Sequence, residues 1–110
     1  MTAIRIREYL DANGKSPWNE WFASLDSEAA AKVVTVIYRV AEGNFSGVKG
    51  VGAGVFERVL DWGPGYRVYF GKDGDAVVIL LGGSGKKNQQ RSIEDAKKRW
   101  ADYRRRKTND

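Results

Sequence analysis

Two arginines stand inside neighbouring strand-like segments, and two lysines follow the next such segment. Arg58 lies in VFERVLDW, Arg67 lies in YRVYFG, and Lys86 and Lys87 close the glycine-rich stretch GGSGKK. An arginine side chain binds two phosphoryl oxygens at once and stays charged at physiological pH. Lysine neutralises phosphate as a point charge and can move a proton when its pKa is depressed. These residue types indicate phosphate recognition or phosphoryl chemistry.

The stretch LLGGSGKKNQQ, residues 80–90, invites comparison with nucleotide-binding loops. A P-loop reads G-x-x-x-x-G-K-[ST], and its final hydroxyl binds magnesium. Counted back from Gly85, the first glycine position holds Leu80, and the hydroxyl position holds Lys87. The template fails at both positions, so an ATP or GTP site is not expected here. The plainer interpretation is a strand-to-helix turn that carries exposed lysines.

Length and composition narrow the chemistry. The chain has 110 residues, enough for one domain spanning residues 1–110, and it contains no cysteine and no histidine. Disulfides, thiolate chemistry and every histidine-based triad are therefore excluded. A zinc site would have only carboxylates as ligands, so no metal or cofactor is expected. The first residues are charged and no apolar run approaches about 18 residues, which predicts a cytoplasmic protein without a membrane segment.

The positive charge is concentrated near one end of the chain. The net charge is +5, yet residues 86–107 contain ten lysines and arginines against three acidic residues, which is +7 for that segment. A basic segment of this kind favours a polyanionic partner, with nucleic acid first among the candidates. The alternative is a solvated helix end, because cations near a helix C-terminus also complement the helix dipole.

Hydrophobic periodicity predicts the order β-α-α-β-β-β-α. Residues 3–10 alternate as a half-buried strand, Ser16 and Asp26 are predicted N-caps of two helices, and residues 43–54 are too glycine-rich for regular structure. Three strands with short turns follow, predicted at 55–62, 66–71 and 76–82. A basic C-terminal helix is predicted from about Gln89 or Ser92 to Arg106. The expected fold class is α+β, with helices packed on an antiparallel sheet and residues 76–82 at its centre.

RNA cleavage by an attacking 2′-hydroxyl is one reaction that a site without histidine can support. Arginine and lysine would neutralise the phosphorane charge, tyrosine or a carboxylate would move protons, and aromatic rings would stack on unpaired bases. The sequence offers these groups as Arg58, Arg67, Lys86, Lys87, Tyr66, Tyr69 and Glu57. The structural alternative is that the strand arginines form cross-strand salt bridges, with Glu57 or Asp61 as partners.

The ordered series of segments resembles a known family. The run GVFERVLDWGPGYRVYFGKDGDAVVILLGGSGKKNQQRSIEDAKKRW, together with SPWNEWFASLD upstream, is similar to the RelE/ParE superfamily of type II toxin–antitoxin toxins. Within it, the chain resembles the HigB-like, phage-derived group called addiction module killer proteins. The resemblance covers residues 3–105 and implies a compact RelE-like α+β fold.

The resemblance also implies an activity and a set of site residues. Such toxins enter the ribosomal A site and cut mRNA by 2′-hydroxyl attack, without a metal or cofactor. Carried onto this sequence, the implied catalytic residues are Arg67, Lys86, Arg58 and Glu57. The implied contacts to RNA and ribosome are Lys87, Lys49, Tyr66, Tyr69, Arg91 and Lys97. Two features depart from RelE itself: Leu60 stands where a strand lysine is expected, and the tyrosine that RelE uses near its C-terminus has no clear equivalent here, because Tyr103 lies on the predicted inner face of the helix.

Partners follow from the same resemblance. It implies a cognate, HigA-like helix-turn-helix antitoxin, a monomeric free toxin, and a ribosome with its message as the target. Two alternatives share the fold: a ParE-like inhibitor of DNA gyrase, and a non-catalytic basic protein that binds nucleic acid.

Overall fold

The structure is a computed structural model that describes residues 3–108. It contains five strands and three α-helices, and a single 3-10 turn at Lys86–Asn88 precedes the last helix. In chain order the elements are β1 (Arg5–Glu8), α1 (Pro17–Ala23), α2 (Ser27–Ala41), β2 (Val48–Gly52), β3 (Val55–Val59), β4 (Arg67–Asp73), β5 (Val77–Ser84) and α3 (Gln89–Thr108). The predicted α+β class is confirmed.

Local side-chain chemistry begins the first two helices where the sequence predicts. The Ser16 hydroxyl accepts a hydrogen bond from the Asn19 backbone N–H at 3.0 Å, and the Asp26 carboxylate accepts one from Ala29 at 2.8 Å. Each cap satisfies a backbone donor that the first helical turn leaves free. Helix α2 ends just before Gly43, whose φ of 87° suits a left-handed residue after a helix.

The sheet is mixed, which corrects the prediction of a purely antiparallel sheet. Its strand order is β1-β5-β4-β3-β2; β1 pairs with β5 in parallel, and the other neighbours are antiparallel. The parallel pair arises because the chain travels through α1 and α2 and returns through three strands before β5 forms. Strand β5 lies inside the sheet, between β1 and β4, while β4 is the middle strand.

The glycine-rich segment 43–54 contains a strand, so the prediction of a wholly irregular loop is wrong. Val48–Gly52 pairs with β3 and forms an edge of the sheet, with a register shift between Gly50 and Gly52. Gly52 has a φ of 102°, a conformation that glycine adopts without a steric penalty. Pairing satisfies backbone groups along β3 that would otherwise lack partners on that side, and this outweighs the low strand propensity of glycine.

Two hydrophobic cores lie on opposite faces of the sheet. Helices α1 and α2 cover one face, where Trp18, Val36 and Phe70 are buried, and α3 covers the other face through Ile93, Ala96 and Trp100. The last three residues are the predicted inner face of the C-terminal helix, and Tyr103 packs beside them in a partly buried position. Alternation along each strand therefore decides which polar side chains meet α3.

Among residues 3–108, none of the helices combines the length and the apolar character needed to cross a membrane.

Candidate functional site

Cross-strand register brings four polar side chains together beneath α3. In the β2–β3 pair Lys49 lies opposite Glu57, and in the β3–β4 pair Glu57 lies opposite Tyr69. Arg67 stands two residues before Tyr69 on β4, so it shares the same face and reaches Glu57 diagonally. The β-sheet thus gathers a carboxylate, a guanidinium, an ammonium and a phenol from three adjacent strands.

Glu57 is the centre of this cluster and is fully buried. Its Oε2 lies 3.7 Å from Arg67 Nε and accepts a hydrogen bond from Gln89 Nε2 at 3.1 Å. Its Oε1 lies 3.4 Å from Lys49 Nζ, an ion pair whose geometry makes no hydrogen bond. A buried carboxylate needs such compensation, because its removal from water costs several kcal/mol.

Arg67 is held at both ends of its guanidinium. Its side chain is only 12% exposed, its Nη1 donates to the Gly65 carbonyl at 2.8 Å, and its Nε faces Glu57. Arg67 Nε and Glu57 Oε1 are buried polar atoms that make no hydrogen bond within the described part of the chain. The predicted salt bridge between a strand arginine and Glu57 is therefore present, and it coexists with unused hydrogen-bonding capacity.

Tyr69 is fully buried, and its hydroxyl is its polar contribution to the cluster around Glu57. The hydroxyl oxygen is 3.1 Å from Ser84 Oγ on β5, where either group can donate. Burial, with a smaller effect of the nearby Glu57 charge, raises the pKa of Tyr69 to about 12. The phenol therefore keeps its proton at neutral pH. Its ring, fully buried, is not placed to stack on a base.

The predicted lysines stand at the same end of the sheet as Arg67. Lys86 and Lys87 form the exposed 3-10 turn after β5 and, together with Pro64, line a cavity of about 430 Å³. Pro64 precedes Gly65, the residue whose carbonyl binds Arg67. The β3–β4 turn thus contacts Arg67 through Gly65 and lines the same cavity as the two lysines through Pro64.

Arg58 is separated from the other predicted catalytic residues. It lies on the opposite face of β3, which also carries Phe56 of the α1–α2 core. Its guanidinium donates to the Val59 carbonyl and lies 3.0 Å from the position that a Cβ would take on Gly47. Arg58 therefore packs under the β2 connection, away from Glu57 and Arg67.

The remaining predicted RNA contacts are spread around the site. Lys49 has a side chain that is 64% exposed, and Lys97 extends from α3 over Gly52. Arg91 is exposed on α3. Tyr66 is half-buried and stacks against Trp62 with ring centres 6.2 Å apart.

Two residues of the cluster, Gln89 and Ser84, were not predicted. Gln89 precedes Ile93 by four residues and Ala96 by seven, so helical periodicity places it on the buried face of α3. That spacing distinguishes it from exposed Gln90, and it was the available signal. Ser84 ends β5 after an apolar run, and nothing in its sequence context marks it.

The arrangement is suited to binding anions. Within residues 3–108, no three acidic side chains converge as a metal site would require. The cationic groups are a positioned arginine and two exposed lysines, residue types that bind phosphoryl oxygens. Buried Glu57 lies on the Nε side of the Arg67 guanidinium and orients it.

Comparison with known proteins gives a relative for most of the chain. No family model matches the sequence. The chain is 40% identical over 81 residues to a protein of Haemophilus influenzae (strain ATCC 51907 / DSM 11121 / KW20 / Rd) described as uncharacterized; the match covers 73% of this chain and 82% of that protein. At this identity and coverage, the chain belongs to the same protein family as the Haemophilus influenzae protein.

Proposed function

We propose that this protein is the toxin of a type II toxin–antitoxin module and acts as an endoribonuclease on mRNA in the ribosome. The observation that carries the proposal is the placement of Arg67, which Glu57 and Gly65 hold at the end of the sheet where Lys86 and Lys87 are exposed. An α+β sheet covered by helices on both faces is compatible with a RelE-like fold.

The proposed reaction needs no metal or cofactor. The ribose 2′-oxygen gives its proton to solvent water and attacks the neighbouring phosphorus, the bond from phosphorus to the 5′-oxygen breaks, and that oxygen takes a proton from Lys86 or Lys87. The products are a 2′,3′-cyclic phosphate and a 5′-hydroxyl. Extra negative charge develops on the phosphoryl oxygens in the transition state, where fixed cations stabilise it best.

The side chains divide this work according to their exposure. Arg67 binds the phosphoryl oxygens, and Lys86 or Lys87 neutralises charge and supplies a proton to the leaving oxygen. Glu57 is fully buried, so we assign it the orientation of Arg67 rather than contact with the 2′-hydroxyl. Arg58, on the other face, is left outside the reaction centre.

Docking to the ribosome and message is assigned to exposed and half-buried groups around this centre. Lys49, Lys97 and Arg91 would contact phosphates, and Tyr66 would offer an aromatic edge. The +7 charge of residues 86–107 supports a polyanionic target in the cytoplasm. A helix-turn-helix antitoxin would neutralise the toxin in the cell.

Primer extension on total mRNA after brief induction tests the proposal. We expect new 5′ ends linked to codons, formed only on translated messages, and we expect Arg67→Ala to abolish them. Arg105→Ala is the matched control, since its side chain is 71% exposed on α3. Intact transcripts with an induced SOS response would refute the nuclease and favour the gyrase inhibitor. Cutting that survives Arg67→Ala would refute the site.

A further inference from the structure

We infer that Gln89 is a positioning residue of this site, which fixes the Glu57 carboxylate and, through it, the Arg67 guanidinium. The inference rests on the proposed function, because the orientation of Arg67 matters for catalysis only if that arginine binds the scissile phosphate. Gln89 lies at the first residue of α3, and its side chain reaches across to β3.

The Gln89 amide binds the same carboxylate oxygen that faces Arg67. Gln89 Nε2 donates to Glu57 Oε2 at 3.1 Å, and Arg67 Nε lies 3.7 Å from that oxygen. The terminal torsion of a glutamate is broad and roughly two-fold, so packing alone fixes it weakly. A donor on Oε2 removes this freedom and holds the carboxylate toward the arginine. Within residues 3–108, Gln89 thus provides a hydrogen bond to Oε2, while Oε1 makes none.

The same contact connects the Glu57–Arg67 pair to the helix that follows the basic turn. Gln89 follows directly after the Lys86–Asn88 turn, and α3 is anchored to the sheet by Ile93, Ala96 and Trp100. The amide therefore connects the beginning of α3 to β3, next to the turn that carries Lys86 and Lys87. It adds a side-chain contact to the β4–β5 pairing, in which Arg67 lies opposite Ser84, two residues before Lys86.

A neutral amide is the donor that suits this position. The groups facing Glu57 are Lys49 from β2, Arg67 and Tyr69 from β4, and Gln89 from α3. Two of these are already cations, so a further cation is not needed to balance one carboxylate. A carboxylate at position 89 would lie about 3 Å from Glu57, where the repulsion between two negative charges favours a proton shared between them.

That expectation gives the inference a distinctive test. In Gln89→Glu the shared proton makes residue 89 a donor again, so cleavage is retained at low pH and is lost as the pH rises and the proton leaves. In Gln89→Met, which keeps the length but removes the donor, we expect the single-turnover rate to fall by about 10- to 100-fold. RNA affinity, measured separately, should change by less than about threefold in both variants, because the docking cations remain.

Gln90→Met on the exposed side of the same turn is the matched control and should cleave at the wild-type rate. Wild-type cleavage in Gln89→Met, or a Gln89→Glu variant whose activity follows the wild-type pH profile, would overturn the inference and leave the proposed nuclease intact. If Gln89→Met does not fold, the Gln89→Glu pH profile decides.

A measurement without RNA separates this inference from the proposed function. The Arg67 Nε–H resonance in NMR spectra of the free protein, assigned by its loss in Arg67→Lys, reports the environment of that donor. We expect Gln89→Met to shift this resonance and speed its hydrogen exchange at least about fivefold, while Gln90→Met leaves it unchanged. An unchanged Arg67 signal in Gln89→Met would overturn the inference, even if the wild-type protein cut no RNA.

Discussion

Glu57→Gln removes the buried negative charge of the site while keeping the shape of the side chain. In the wild-type protein this carboxylate faces two cations of different exposure, Arg67 at 12% and Lys49 at 64%. Lys49 is hydrated by water when the carboxylate is neutralised, so loss of the Lys49–Glu57 ion pair costs little stability. Arg67 stays buried with one hydrogen bond, to Gly65, and no counter-charge.

The expected loss follows from that difference. Breaking a buried ion pair by removing one partner costs about 3–5 kcal/mol, and because only one of the two cations here is strongly buried, we expect about 3 kcal/mol. For a domain of this size that corresponds to a fall in Tm on the order of 10–20 °C. Urea unfolding of the variant and the wild type measures the free energy difference directly.

Two further variants make the test specific. Glu94→Gln, which removes an exposed carboxylate on α3, should change the free energy of unfolding by less than about 0.5 kcal/mol. A double-mutant cycle of Glu57→Gln with Arg67→Met should return a coupling of about 1–3 kcal/mol. A loss below about 1 kcal/mol in Glu57→Gln, or a coupling near zero, would show that the carboxylate does not hold the arginine.

Two other predictions concern the α3 side of the sheet. Gly71→Ala would place a Cβ in steric overlap with the Trp100 ring, and we expect urea unfolding to show a loss of about 2–3 kcal/mol in the free energy of unfolding. Gly50→Ala is the control, because a Cβ at that position meets no atom within 4 Å. Equal losses in the two variants would contradict the prediction. Partial burial and the hydrogen bond to Asp73 raise the pKa of Tyr103 to about 12. The hydrogen bond therefore makes its full contribution to the free energy of unfolding below pH ~10, and this contribution is lost as the pH rises through about 12. The stability difference between wild type and Tyr103→Phe should therefore shrink between pH 9 and pH ~12, and a constant difference would refute this assignment.

The helices could be predicted from sequence because their signals are local. Ser16 and Asp26 lie next to the turns that they cap, and the buried face of α3 repeats with helical spacing. Strand β2 could not be predicted in this way, since it depends on the free edge of β3 and its own residues favour a loop. The parallel pairing of β1 with β5 likewise joins residues more than 70 positions apart.

The site was predictable in its residue types and less so in its geometry. Alternation places Glu57 and Arg58 on opposite faces of β3, and Arg67 and Tyr69 on one face of β4. It does not say whether Glu57 or Arg58 shares the face of Arg67 and Tyr69. The pairing of Glu57 with Tyr69 decides this, and a slip of one residue would have placed Arg58 beside Arg67 instead. Register is a property of the assembled sheet, so the exclusion of Arg58 required the structure.

The energetics of the Glu57 cluster favour a functional explanation over a structural one. A buried ion pair is often no more stabilising than apolar side chains of the same volume, and here Glu57 Oε1 and Arg67 Nε make no hydrogen bond. Both flanking faces of the sheet are filled with well-packed apolar residues, so this fold readily accommodates hydrophobic side chains at such positions. An arginine that a buried carboxylate holds, at the end of the sheet that carries two exposed lysines, is suited to binding an anion through its remaining guanidinium N–H groups, and we propose that this anion is an RNA phosphodiester.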